Sequence, residues 1–248
     1  MTAIRTAARV LAFDAIDSTN SEARRRADAG ETGPLWITAK RQTAGRGRRG
    51  RSWETGEGNL AATLLMVTDR PAREAAQLSF VAALAASDLL CAHLPRERVK
   101  VKWPNDVMVS GRKIAGILVE SGARAEGGLW LAIGIGINLA RAPVSAERPA
   151  TTLAHETRTP PPEPAVALEG LADAFAEWLL RWDARGFAPV AEAWTERAYG
   201  LGERCTARLA DETIEGVAEG LDSDGALRLR LADGRVRRIT AGDVFFGA

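Results

Sequence analysis

Twelve consecutive residues, Lys40-Arg41-Gln42-Thr43-Ala44-Gly45-Arg46-Gly47-Arg48-Arg49-Gly50-Arg51, hold six cationic side chains and three glycines without one acid. The whole chain carries a net charge of only +1, so positive charge is concentrated here. Glycine lets a backbone approach a ligand closely, and arginine offers planar forks that match carboxylate and phosphate oxygens. The chemistry this run could do is anion binding. A second group follows: Lys102 and Lys113 lie in otherwise apolar strand-like stretches, with Asn105-Asp106 between them. A lysine in a buried strand needs an acidic partner or an anionic ligand. A third group, Ser18-Thr19-Asn20, sits where a helix starts; it reads either as a plain helix cap or as hydroxyl and amide groups facing a polar ligand. In Gly134-Ile135-Gly136-Ile137-Asn138 the two glycines share one strand face and leave room there, for a ligand or for a close helix contact.

Other chemistries are poorly supplied. The two histidines, His93 and His155, are isolated, and the two cysteines, Cys91 and Cys205, are far apart with no CxxC pair. That argues against a zinc site, a disulfide framework and a nucleophile–histidine arrangement. Gly134-x-Gly136 lacks a third glycine and a following helix, so it is no dinucleotide fingerprint. Near-neutral charge argues against general nucleic-acid binding. No apolar run is expected to span a bilayer, and Met1–Arg5 lacks the apolar core of a secretory signal. A cytoplasmic protein is the expectation.

The elements that must position these groups follow from periodicity. Residues 9–13 read as a strand, followed by a helix capped by Asp17 or Ser18 and stopped near Gly30. Leu35–Ala39 and Leu60–Val67 read as core strands joined by the arginine loop, and long loops in compact domains usually serve function. Pro71 to Leu94 reads as one helix with an apolar face. Val99–Trp103 alternates with period two; Val107–Val109 and Lys113–Glu120 form a hairpin; Leu129–Leu139 is a central strand. Residues 141–164 are a proline-rich loop with a short helix near Thr152–Glu156. Ala165–Arg185 is an amphipathic helix, and Pro189–Arg197 a shorter one. From Gly202 short strands alternate with tight-turn signals, as in a small β-barrel. The fold class is α+β, a mixed sheet with flanking helices plus a small C-terminal barrel, with domains 1–200 and 201–248.

Four motifs in this order, Gly45–Arg51, Lys102–Asp106, Lys113–Glu120 and Gly134–Asn138, with Ser18-Thr19-Asn20 upstream and the barrel at the end, resemble biotin–protein ligases over nearly the whole chain. The resemblance implies a class II synthetase-like catalytic domain and an SH3-like barrel. It implies activation of biotin by ATP to biotinoyl-5′-AMP with loss of pyrophosphate, then transfer to one lysine of a biotin carboxyl carrier protein. It places biotin on Ser18, Thr19, Asn20, Gln42, Gly45, Arg46, Gly47, Arg48, Lys113 and Gly116. It places ATP on Arg48, Arg51, Trp53, Lys102, Asn105, Asp106 and Asn138, with Arg46, Arg48 and Lys113 catalytic and Asp106 on Mg2+. An aromatic adenine partner is expected downstream of the glycine strand, where this chain has Thr151-Thr152-Leu153. Repressor members carry a helix-turn-helix before the core; here the Ser-Thr-Asn motif begins at residue 18, so a catalytic-only protein without DNA binding is expected. A homodimer is left open. The nearest rival is a lipoate–protein ligase, against which the Gly45–Arg51 loop counts; a non-catalytic anion or nucleic-acid binder would leave the buried lysines unexplained. So dense a run of like charge is expected to repel itself when empty, and 45–53 to order over ligand.

Overall fold

The computed structural model describes residues 8–143 and 149–247. Met1–Arg5 and the middle of the 141–164 loop lie outside them. Strand β1 (Arg9–Ile16) leads into helix α1 (Thr19–Asp28), then β2 (Leu35–Gln42), β3 (Leu60–Thr68) and helix α2 (Leu78–Cys91). Strands β4 (Val99–Lys102), β5 (Asp106–Val109), β6 (Arg112–Ala123) and β7 (Leu129–Ile137) follow. Helices α3 (Leu153–Glu156), α4 (Pro164–Arg185) and α5 (Ala188–Glu196) precede β8 (Arg204–Arg208), β9 (Thr213–Leu221), β10 (Leu227–Arg230), β11 (Val236–Ile239) and β12 (Asp243–Phe246). The first seven strands form one mixed sheet in the order β1-β2-β3-β7-β6-β5-β4, with only β1 and β2 parallel. The last five form an antiparallel sheet in the order β11-β10-β9-β8-β12. β12 was not foreseen from the sequence.

Period-two alternation assigns the two faces of the large sheet. On β3, Leu60, Ala62, Leu64 and Met66 enter the main core; on β7, Leu131, Ile133, Ile135 and Ile137 do the same. Helices α2 and α4 cover that face, with Leu84, Leu171, Phe175 and Trp178 in the same cluster. The opposite face carries a smaller cluster, Leu35, Ile37, Leu65, Trp130 and Ala132, under Ala23 of α1. Continuing along β7, Gly134 and Gly136 fall on this second face, beyond the edge of the small cluster. The functional groups collect there.

Helix α2 departs from the expected one-sided pattern. It is apolar nearly all round, with eleven buried residues, because it is sandwiched between the sheet and α4. The stretch Ala72–Cys91 is, by length and composition, apolar enough to cross a bilayer, against the expectation that no run would be; 72% of its most apolar window is buried in the protein's own core. Nor is 71–94 one uninterrupted helix. A turn at Ala72–Ala75 is followed by i→i+3 bonds from Ser79 N–H to Ala76 O and from Phe80 N–H to Gln77 O, before α2 proper. The small sheet shares the main core through Ala207, Leu227, Leu229, Ile239 and Val244. It is pinned further by a 3.1 Å hydrogen bond from Trp103 Nε1 to Gly225 O.

Candidate active site

A row of residues in register crosses the second face: Ala61 pairs with Gly136, Gly136 with Gly116, and Gly116 with Asp106. Three small residues in a row make a notch, and Trp53 fills it. A Cβ on Gly136 would lie 2.3 Å from Trp53 Cε2, and one on Gly116 would lie 3.0 Å from Trp53 Cζ3. In the adjacent row Thr63 pairs with Gly134 and Gly134 with Leu118. The space over Gly134 holds Asn20, whose Oδ1 would be 2.2 Å from a Cβ there. The room left by the glycine pair is thus occupied by two side chains that themselves face a pocket. It is lined by Ser18, Thr19, Asn20, Gln42, Arg46, Gly47, Arg48, Arg51, Trp53, Asn105, Asp106, Lys113 and Gly116 among others.

The two ends of the pocket differ in chemistry. At one end hydroxyl and amide groups are tightly cross-bonded, together with two acid–arginine pairs. Ser18 occupies the N-cap position of α1 but makes no capping bond. The carboxylate of Asp17 accepts the Ser18 N–H at 2.7 Å and two bonds from Arg25 at 2.8 Å, and these hold its pKa down at about 2. Gln42 Oε1 accepts from Thr19 N at 2.8 Å and from Thr19 Oγ1 at 3.1 Å, while Gln42 Nε2 donates to Thr55 Oγ1 at 2.9 Å. Thr63 Oγ1, fully buried, donates to Asn20 Oδ1 at 2.7 Å. Asn20 Nδ2 donates to Glu120 Oε2 at 2.8 Å and to Leu118 O at 3.2 Å. Arg46 Nη2 donates to the same Glu120 oxygen at 2.8 Å.

At the other end the charges converge. Lys113 Nζ lies 2.5 Å from Asp106 Oδ1 and over the Trp53 ring. Asp106 is buried, and its Oδ1 has no well-directed hydrogen bond among the described residues. Arg48 donates to Asn105 Oδ1 at 3.1 Å, and burial pushes its guanidinium pKa down. Arg51 pairs with Asp243 of the small sheet. Asn105 is fixed by backbone bonds on both sides, Asn105 Nδ2 to Ile117 O and Ile117 N–H to Asn105 O.

Three expected residues stand apart from the lining. Gly45 supports the pocket from behind: its carbonyl accepts the Trp53 N–H at 2.9 Å, and a Cβ there would meet Trp53 O at 2.3 Å. Lys102 is buried with Nζ 5.7 Å from the Phe246 ring. Asn138 is buried, and its Nδ2 donates to Thr151 O at 3.3 Å. That bond and the pairing of Lys113 with residues 149–151 hold the 151–153 segment beside the site. Four contributors were missed: Thr55, Thr63, Glu120 and Asp243. Thr63 is the one polar residue inside Leu60–Val67, but threonine is an ordinary strand former. Glu120 ends an apolar strand and reads as a boundary residue.

Residues 12–138 match the model of the biotin/lipoate A/B protein ligase family, and residues 200–247 that of the biotin protein ligase C-terminal domain. The chain is 47% identical over 237 residues to biotin–[acetyl-CoA-carboxylase] ligase of Paracoccus denitrificans, covering 93% of this chain and 98% of the relative. It is 30% identical to the bifunctional ligase/repressor BirA of Escherichia coli K12, covering 95% of this chain and 73% of that protein. The biotin protein ligase of Aquifex aeolicus, solved in complex with biotin and ATP, superposes with a TM-score of 0.80 at 26% identity, over 96% of this chain and 97% of that one. The chain belongs to the biotin/lipoate A/B protein ligase family and, within it, to the biotin–protein ligases.

Proposed function

We propose that the end of the pocket around Ser18, Asn20 and Gln42 holds biotin and the end around Arg51 and Lys113 holds ATP, so that one side chain, Arg48, serves both. The protein is an ATP-dependent biotin–protein ligase. The first step requires a biotin carboxylate oxygen to attack the α-phosphorus of a polyanionic nucleotide, forming the acyl–phosphate bond and releasing pyrophosphate. Two anions must be held in line within about 3 Å of each other. The observation that carries the assignment is the convergence of Arg48, Arg51 and Lys113 on one side of a pocket whose other side is a hydrogen-bonded network of hydroxyl and amide groups, its one lining cation, Arg46, paired with Glu120. Those cations neutralise both reactants and stabilise charge on the phosphoryl oxygens. Ser18, Thr19, Asn20, Gln42 and Arg46 present polar groups for the ureido ring, backed by Gly45 and Gly47, with Gly116 beside the apolar part of the ligand. Trp53 and Asn105 flank the nucleotide, and Lys102 and Asn138 act from behind it. In the second step the ε-amine of the acceptor lysine attacks the acyl carbon and AMP leaves. Lys113 stabilises the leaving phosphate. No covalent protein intermediate is needed.

Asp106 suits an ATP-bound Mg2+. It is a buried carboxylate at the charged end of the pocket, its Oδ1 paired with Lys113, and magnesium is commonly held by one carboxylate plus substrate phosphates. No cluster of three or more acidic, histidine or cysteine side chains occurs among the described residues, so the protein alone would not cage the ion. When bound, the ion supplies charge neutralisation on the phosphates. The acceptor is a biotin carboxyl carrier domain of a carboxylase, and the protein acts in the cytoplasm. The test is mass spectrometry of a carrier domain incubated with the protein, biotin and Mg-ATP. One biotin adduct per carrier, absent with lipoate, is the expected result; an unmodified carrier refutes the reading. Arg48→Ala should lose biotin-dependent pyrophosphate release far more than biotin affinity.

A further inference from the structure

Three arginines of the glycine loop reach out of the large sheet and touch one corner of the small one. Arg51 Nη2 lies 2.7 and 2.6 Å from the two carboxylate oxygens of Asp243, at the start of β12. Arg49 Nη1 approaches the same carboxylate at 3.5 Å, and its Nη2 donates to Leu209 O at 3.2 Å. Arg48 Nη2 donates to Gly242 O at 3.2 Å. The corner is shaped for this. Asp243 pairs in register with Arg208, and a Cβ on Gly242 would come within 2.8 Å of Arg208 O, so the turn is closed tightly around its carbonyls. Asp243 itself is only 15% exposed. The other end of the loop is held separately, by Arg46 on Glu120 of β6.

We propose that Asp243 is a positioning residue for the nucleotide: the barrel's carboxylate holds Arg51 at the mouth of the pocket before ATP arrives. The argument rests on the assignment of the charged end to ATP. The loop has no acid of its own, and the self-repulsion of its phosphate-facing half is answered by carboxylates from elsewhere, Asp106 near Arg48 and Asp243 on Arg49 and Arg51. Without it the guanidinium groups must be gathered from solvent at the moment of binding, and the ordering cost falls on nucleotide affinity. Biotin, held by the end anchored on Glu120, is spared. The C-terminal barrel is then the fixed point against which the phosphate-facing half of the loop is set.

The experiment compares full-length wild type with Asp243→Ala, Asp243→Asn and Asp243→Glu. Three quantities are read: the KM for ATP and kcat of biotin-dependent pyrophosphate release, the Kd of biotin alone by calorimetry, and the rate of tryptic cleavage at Arg48, Arg49 and Arg51 in the empty protein. The expected result for Ala and Asn is a tenfold or larger rise in KM for ATP, a biotin Kd within twofold of wild type, and faster cleavage of the loop, with Glu restoring most of both. An unchanged KM with unchanged cleavage overturns the proposal, as does an equal loss of biotin affinity in a variant whose melting curve is intact. If wild type releases no pyrophosphate, the ligase reading fails on its own account, and the cleavage rates still decide whether Asp243 anchors the loop.

Discussion

Gly134→Ala adds one carbon in the middle of a central strand, at a residue whose backbone any amino acid could adopt. Its Cβ would lie 2.2 Å from Asn20 Oδ1, 3.0 Å from Cγ and 3.3 Å from Nδ2. No small adjustment relieves three contacts at once, so the amide must leave its place. Three hydrogen bonds go with it: from Thr63 Oγ1, to Glu120 Oε2 and to Leu118 O. At about 1 kcal/mol net each, the loss is about 3 kcal/mol. For a chain of this size that lowers Tm by roughly 6–12 °C. Glu120 then faces Arg46 alone, so the end of the pocket proposed to hold biotin is distorted as well, and biotin affinity should fall by at least tenfold.

The cycle with Asn20→Ala isolates the cause. Asn20→Ala by itself should cost a similar amount, because it removes the same bonds. Adding Gly134→Ala in that background should then cost little more, since the amide is gone and the methyl fills part of the space it left. Thermal melts and biotin calorimetry on the four proteins measure both quantities. Equal effects of Gly134→Ala with Asn20 and with Ala at position 20 would falsify the reasoning, showing that the glycine is needed for the strand itself and not to make room for an amide.

Lys113→Met should lower stability by several kcal/mol, because it removes the ammonium paired with the buried Asp106 carboxylate. Lys113→Met with Asp106→Asn should recover most of the Tm while adenylation and transfer from added biotinoyl-AMP both stay lost; the melts and the two half-reaction assays separate these. The pKa of Asp17 is lowered in the fold to about 2 from an ordinary 3.8. Its stabilising effect is therefore complete above about pH 4 and fades as pH falls through about 2. Because the pair with Arg25 is half exposed, the amount is under about 1 kcal/mol. Asp17→Asn should flatten only that acid limb of a stability–pH curve. Burial pushes the Cys205 thiol up to about 11, so a disulfide exchange reagent at pH 7.5 should label it only when urea opens the barrel. Rapid native labelling would contradict its burial in the shared core.

What could be read from the residues was set by how far apart the cooperating groups lie in the chain. The notch over Gly134 and Gly136 was legible because strand alternation is a local code, and two glycines two apart must share a face. Its occupants were not: Asn20 is 98 residues from Leu118, with which it bonds, and Trp53 reaches Gly136 only because the loop folds back over the sheet. The cationic loop announced itself by composition, yet composition cannot say where a loop's counter-charges come from. Glu120 lies 74 residues from Arg46, and Asp243 lies 192 residues from Arg51. Neither carboxylate stands out locally, since one closes an apolar run within β6 and the other follows a glycine at the start of β12. Arg46 and Arg51 are only five positions apart, and one is tied to the large sheet while the other is tied to the small one. A run that short, held at both ends by different sheets, must bridge them across the pocket mouth. The two ends of the loop are therefore set by different parts of the chain, Arg46 by Glu120 of the large sheet and Arg51 by Asp243 of the barrel. A substitution in the barrel should then be felt first by the nucleotide.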